Sequence, residues 1–190
     1  MNVYDFDKTI FYPDSSACFF RYCLRHYPRA VLRVFPDAGA AGLLWLLGRE
    51  ETKELKETLF SFLPYLDNVE QIVREFWTEY RSHIGSWYLS QRRETDLIIS
   101  ASPEFLLCPA ADALGVRLIA TRMDRYTGQI QGNNCHDAEK VCRFLKEFPE
   151  ETVDAFYSDS LSDSPMAWFA KEAWLVKDGR ELSPWPDKRA

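Results

Sequence analysis

Asn2-Val3-Tyr4-Asp5-Phe6-Asp7-Lys8-Thr9 is the stretch that decides the fold. It reads as a short apolar strand running into two carboxylates spaced i, i+2, with a threonine two residues further on. Strand residues at i and i+2 share a face, and at the C-terminal end of a buried parallel strand both acids can converge on one pocket. Carboxylates that close repel each other and raise a pKa unless a cation sits between them. A hard, oxygen-preferring ion such as Mg²⁺ is the natural partner, and phosphate chemistry comes with it. The other reading is an exposed edge strand carrying two solvated acids.

Outward from this stretch the pattern becomes helical for some seventy residues. Asp14-Ser15-Ser16 is a helix start, followed by Phe19, Phe20, Cys23 and Leu24 at helical spacing. Pro28 and Pro36 punctuate the run. Ala38 to Leu47 reads as a short helix closed by Gly48, Thr52 opens another with Leu55, Leu59, Phe62 and Leu63 on one side, and Val69 to Tyr88 reads as a longer one. From Asp96 strands and helices alternate. Strands are expected at 96–102, 117–123, 152–158 and 173–177, with a hairpin excursion at Thr127 to Gly132 and helices from Pro103, over Glu139 to Phe148, and over Pro165 to Lys171. Five apolar strands separated by helices predict an α/β fold with a five-stranded parallel sheet covered on both faces. The helical block 13–87 is then an inserted cap, and 1–12 with 88–190 form the core.

Composition sets bounds. The 190 residues, 46% hydrophobic and 15% aromatic, suffice for one sizeable core with an insertion. A formal net charge of -6 argues against nucleic acid as partner. Within this acidic chain Arg21, Arg25, Arg29 and Arg33 fall in a stretch without acids; the favoured reading is a solvated face paired with acids elsewhere, and the functional one is a basic stripe that steers phosphate compounds or rests on an anionic membrane. Five cysteines, odd in number and without Cys-x-x-Cys, point to neither disulfides nor zinc and to a cytoplasmic setting. No signal peptide is expected ahead of a strand that starts at Met1. The apolar run from Ala38 is about half the length needed to span a bilayer.

In a parallel sheet the ligand sits beyond the C-terminal strand ends. Strand one delivers Asp5 and Asp7 there, strand two Ser100 with Ser102, and strand four Ser158-Asp159-Ser160-Leu161-Ser162-Asp163, while Lys140 lies early in the preceding helix. Four acids, a hydroxyl and an ammonium thus gather at one edge.

This set, Asp5-Phe-Asp7-Lys-Thr9, Ser100-Ala-Ser, Glu139-Lys140 and Tyr157-Ser-Asp159-Ser-Leu-Ser-Asp163, resembles the four motifs of the haloacid-dehalogenase-like phosphatases. Placement of the cap between the first and second motifs is similar to the subfamily IB branch, with its C1-type helical cap on a Rossmann-like core, which contains phosphoserine phosphatase. The resemblance implies that Asp5 is the nucleophile forming an aspartyl phosphate and that Asp7 is the general acid and base. It implies Mg²⁺ held by Asp5, Asp159 and the backbone carbonyl of Asp7, with Asp163 ligating directly or through water. Ser100 and Lys140 would bind the phosphoryl oxygens, with Thr9, Ala101 and Asp14 as further phosphate- or substrate-binding positions.

The second motif carries Ser100-Ala-Ser where phosphoserine phosphatases usually have Ser-Gly-Gly, and Asp14 stands near where they carry a Glu. The segment Phe20-Arg21-Tyr22 to Arg25 and Ser158-Asp159-Ser160 look more like the phosphatidylglycerophosphatase C branch. The expected substrate is therefore a small or lipid-linked phosphomonoester. The alternatives are a catalytically silent Mg²⁺-binding relative and a receiver-like signalling protein, which collects similar groups but phosphorylates an Asp after its third strand.

Overall fold

A computed structural model describes residues 1–34 and 53–186. Strands β1 (Asn2–Tyr4), β2 (Leu97–Pro103), β3 (Arg117–Thr121), β4 (Ala155–Ser158), β5 (Glu172–Lys177) and β6 (Glu181–Pro184) form one sheet in the order β3-β2-β1-β4-β5-β6. β1 lies at the centre, with Val3 opposite Leu97 on one side and Phe156 on the other, both parallel. The chain winds from β1 outward through β2 and β3, then crosses to β4 and β5. The order therefore reverses beside β1, which opens a crevice above the C-terminal ends of β1 and β4.

The five expected parallel strands are present, and a sixth, β6, is added antiparallel to β5. The sequence reading missed it because Glu181-Leu-Ser-Pro184 is short, polar and exposed. Its signal was the Asp178-Gly179 turn, where both residues have positive φ, 51° and 66°, the geometry that favours tight hairpins.

Helices α1 (Ser15–His26), α2 (Pro28–Arg33), α3 (Lys53–Leu59), α4 (Val69–Tyr80) and α5 (Ser86–Gln91) fall between β1 and β2. After β2 come α6 (Glu104–Leu114), α7 (Ala138–Glu147) and α8 (Ser164–Phe169). The local signals explain the ends. Asp14 caps α1 by accepting from the Ala17 N–H at 2.9 Å, Pro28 occupies the first turn of α2, and Asn68 caps α4 through Gln71 N–H at 3.1 Å. The helix expected to run from Val69 to Tyr88 is two. It stops at Tyr80 because Ile84 turns extended to bridge Phe11 and Gly85 N–H donates to the Ile10 carbonyl at 2.8 Å. The short helix expected at Ala38 to Leu47 and the start at Thr52 lie outside the described residues. Among the described residues no helix is long and apolar enough to cross a membrane.

Alternation along the strands feeds two apolar layers. Val3, Leu97, Ile99, Ile119 and Phe156 pack with Phe144 of α7 and Met166 of α8 on one face. On the other, Tyr4, Ile98 and Ala120 join α6 and the inserted helices in a single cluster. Insertion and core are therefore continuous in packing. Trp77 on α4 is the hinge of that continuity: its ring meets Phe6 at 5.8 Å, Phe11 at 5.4 Å and Phe76 at 5.0 Å, and its Nε1 donates to the Leu106 carbonyl at 2.6 Å.

Trp77→Ala removes this wedge and leaves a cavity, so it is expected to cost about 3–5 kcal/mol. Because the cluster is shared, circular dichroism and tryptophan fluorescence should still report one coincident denaturant transition. Two separated transitions would show that insertion and core unfold independently.

Candidate active site

The carboxylates of the first motif are placed by the way β1 ends. Asp5 N–H still pairs with the Tyr157 carbonyl at 2.8 Å, after which the chain curls, with the N–H groups of Ile10 and Phe11 both on the Phe6 carbonyl. Lys8 takes a left-handed conformation, φ 55°, that turns Thr9 back toward the sheet. The fully buried Thr9 Oγ1 accepts from Asp159 N–H at 3.0 Å and lies 3.3 Å from Asp5 Oδ2 and 3.4 Å from Asp159 Oδ1. One hydroxyl thus stitches the ends of β1 and β4 and holds two acids side by side.

Lys140 projects from the first turn of α7. The residue before that helix, Asp137, adopts φ 55° and ψ -132°, a region costly for any side chain with a Cβ and of the kind found where a functional group must be aimed. The Lys140 ammonium, 1% exposed, donates to Asp5 Oδ1 and to Asp163 Oδ2, each at 2.7 Å. Asp163 Oδ2 also accepts from Ser158 Oγ at 2.7 Å. Burial lowers an ammonium pKa, but here the two carboxylates win and raise it. Lys140 is therefore charged.

Asp7 sits across from this triad, partly exposed. Its Oδ1 accepts from Ser15 N–H and its Oδ2 from Ser102 Oγ, each at 2.5 Å. Ser102 N–H donates to Ser100 Oγ at 3.0 Å. Ala101 offers its carbonyl, which receives Lys56 Nζ at 2.6 Å. Asp14, 5% exposed, spends Oδ1 on capping α1 and presses on Asp7 through its charge.

Burial drives the acids' protonation. Asp5 is pushed up to about 7 by desolvation against the opposing pull of Lys140, Asp7 to about 7 by desolvation and then Asp14, and Asp159 to about 7 by desolvation and then Asp5. When ionised, Asp5, Asp159 and Asp163 around one Lys140 leave two negative charges in excess. Asp163 Oδ1 is buried without a hydrogen-bond partner. Among the described residues no three His, Cys, Asp or Glu side chains close on one another as a ready-made metal cage. An orphaned carboxylate oxygen, two adjacent acids and all-oxygen donors fit Mg²⁺, which is held by one or two carboxylates and keeps several of its own waters.

The sequence-predicted residues Asp5, Asp7, Thr9, Ser100, Ala101, Lys140, Asp159 and Asp163 thus lie along one connected edge, and Asp14 adjoins them as a cap. Sequence reading missed the grip of Ser158 on Asp163, that of Ser102 on Asp7 and the arrival of Lys56. The serines were visible as neighbours of motif residues. For Lys56 the signal was weak, a single lysine between Leu55 and Leu59 on a helix with an apolar side.

A family model for haloacid dehalogenase-like hydrolase matches residues 3–167. The chain belongs to this family. Protein CicA of Caulobacter vibrioides is 29% identical over 189 residues, covering 90% of this chain and 82% of that one. Among solved structures of the hydrolase fold, a protein of unknown function from Bordetella pertussis Tohama I superposes with TM-score 0.71 at 22% identity, covering 91% and 87% of the two chains. A phosphoserine phosphohydrolase-like protein from Francisella tularensis gives TM-score 0.54 at 16% identity, covering 91% and 86%.

The raised carboxylates carry a sign. Asp5, Asp7 and Asp159 move from 3.8 unfolded to about 7 folded, so between these values the folded state binds more protons and its stability falls as pH rises. With chelator present, the melting temperature should fall from about pH 5 to about pH 8, and Asp5→Asn should flatten the slope. A wild-type melting temperature that rises across this window would contradict the assignment.

Proposed function

We propose that this hydrolase cleaves phosphomonoesters with Mg²⁺ through an aspartyl phosphate on Asp5. The observation that carries the reading is the buried contact of Lys140 with both Asp5 and Asp163 at 2.7 Å, beside the Thr9-linked pair Asp5 and Asp159. Such a cluster of opposed charges is costly to bury unless it serves an anionic substrate and a cation. The name of the Francisella relative, phosphoserine phosphohydrolase-like, supports the same reaction class.

Asp5 and Asp159, the Asp7 carbonyl and Asp163 would hold the cation. When bound, it supplies charge neutralisation that lets a dianionic phosphate approach Asp5. The Asp5 carboxylate attacks phosphorus, the bond to the ester oxygen breaks, and Asp7 gives that oxygen its proton. With an ordinary value pushed up to about 7, Asp7 holds a proton near neutrality and can release it again. In the second half water attacks the aspartyl phosphate, its proton goes to Asp7, and Asp5 is restored with release of inorganic phosphate. Ser100 Oγ accepts from Ser102 N–H, so its own hydrogen is available to a phosphoryl oxygen. Lys140 pulls Asp5 toward its ionised form against the effect of burial and offers its third hydrogen to the phosphoryl group.

The core, 1–12 with 88–190, performs this chemistry, and the inserted helices 13–87 act as the cap that selects the leaving group. Arg25, Arg29 and Arg33 are exposed on that insertion and are assigned to attracting anionic compounds, a lipid phosphate among them.

Asp5→Asn should lower turnover of any phosphomonoester by at least about 10³-fold while leaving the fold intact, and omission of Mg²⁺ should do the same. Normal turnover in the variant, or cation binding without turnover in the wild type, would sink the reading. Asp7→Asn should slow an alkyl phosphate more than p-nitrophenyl phosphate, whose leaving group needs no proton. Equal slowing would remove Asp7 as proton donor.

A further inference from the structure

Lys56 belongs to α3, in the inserted helices, yet its side chain ends in the core. It is 0% exposed, and its ammonium donates to the Ala101 carbonyl at 2.6 Å and to Asn134 Oδ1 at 3.0 Å. Asn134 Oδ1 also receives Thr121 Oγ1 at 2.8 Å, and Thr121 Oγ1 in turn accepts Cys135 N–H at 2.9 Å. One lysine thereby joins α3, the end of β2 and the segment that leads from β3 to α7.

The Ala101 carbonyl and the Ser102 N–H are the two ends of one peptide group. Lys56 holds the oxygen end, and Ser100 Oγ accepts from the nitrogen end at 3.0 Å. A planar peptide cannot turn at one end without turning at the other. Fixing the oxygen therefore fixes the direction of the N–H, which engages a lone pair of Ser100 Oγ and directs the serine's own hydrogen elsewhere. Ser102 continues the line, since its Oγ donates to Asp7 Oδ2 at 2.5 Å. A charged donor also polarises the peptide and strengthens the N–H at its far end.

We infer that Lys56 is a positioning residue: from the insertion it clamps the Ala101–Ser102 peptide and so orients Ser100 and, through Ser102, the Asp7 carboxylate. The inference rests on the phosphatase reading for the roles of Ser100 and Asp7. Neighbouring bonds along α3 hold the same seam, with Ile130 N–H donating to Glu57 Oε1 at 2.8 Å and Lys53 Nζ to the Gly132 carbonyl at 3.1 Å, but neither reaches a motif residue.

Lys56→Met keeps the unbranched side chain but for its last atom and removes the charge and the donor. With Mg²⁺ and two substrates, acetyl phosphate, whose leaving group is small, and a larger anionic ester, kcat should fall roughly ten- to hundredfold for both, with KM within about twofold. In a Ser100→Ala background the same change should cost clearly less than in the wild type, because part of its effect runs through Ser100. Amide exchange at Ser102, read by NMR, should quicken about tenfold while Ile98 and Ile99 stay protected. Should Lys56→Met not fold, Lys56→Gln, a shorter neutral donor, carries the same measurements.

A KM increase confined to the larger anionic ester, with Ser102 exchange unchanged, would assign Lys56 to substrate contact and overturn positioning. Additive losses in the double variant, or faster exchange with unaltered kcat, would overturn it too. Wild-type protein that turns over no phosphomonoester would defeat the reaction reading instead, and the exchange at Ser102 would still decide the clamp.

Discussion

A lysine ammonium buried between two carboxylates governs this structure. Taking Lys140 out of water costs several kcal/mol, and only close, well-directed partners offset it. Asp5 comes from the end of β1, Asp163 from the turn after β4, and Lys140 from the start of α7. None of these segments is adjacent to another in sequence. The contact therefore forms only when the central strands are paired in register and α7 is docked, and it ties the fold to the site. Lys140 neutralises only part of the acidity around it. Burial, and after it the charge the acids place on one another, pushes Asp5 and Asp159 up to about 7, so the pocket favours a proton or a dication over standing as bare carboxylates.

Parallel strands with their crossovers on both faces send every β-to-α connection to one edge, so a chain of this topology collects its polar loop residues without further design. At this edge Asp5, Asp7 and Asp163 are each met by a hydroxyl as well as by backbone or Lys140. Thr9 serves both Asp5 and Asp159, Ser158 serves Asp163, and Ser102 serves Asp7. Asp5, Asp7, Asp159 and Asp163 each meet a hydroxyl that helps hold the carboxylate, and each of these hydroxyls lies within two residues of a motif position or inside a motif.

That proximity explains what was legible in the sequence. Asp5, Asp7, Ser100, Lys140, Asp159 and Asp163 stood out because each follows or precedes an apolar run whose type could be read from its period. The helix start at Asp14 and the interruption at Pro28 were legible for the same local reason. The break before Gly85 was not, because it depends on Ile84 meeting Phe11, some seventy residues earlier in the chain. β6 was lost to its polar composition, although its Asp178-Gly179 turn announced it. Lys56 was the hardest to see: a lysine on a short helix reads as solvated until its tertiary partners, Ala101 and Asn134, are known.

The insertion meets the core in two chemically different ways. Through α4 it is apolar: Trp77 packs on Phe6, the residue between Asp5 and Asp7, so the loop after β1 and α4 form one packed unit. Along α3 the contacts made by Lys53, Lys56 and Glu57 are hydrogen bonds to the Gly132 carbonyl, the Ala101 carbonyl with Asn134, and the Ile130 N–H. Apolar packing is forfeited when surfaces part by even an ångström, whereas hydrogen-bonding groups can exchange their partners for water at small net cost. Along α3 both kinds of contact are present, because Leu59 is a buried member of the same apolar cluster while Lys56, also buried, holds the Ala101 carbonyl. Seating of α3 and the direction of the Ala101–Ser102 peptide are therefore one event, since Lys56 of α3 holds the carbonyl whose peptide N–H engages Ser100 Oγ.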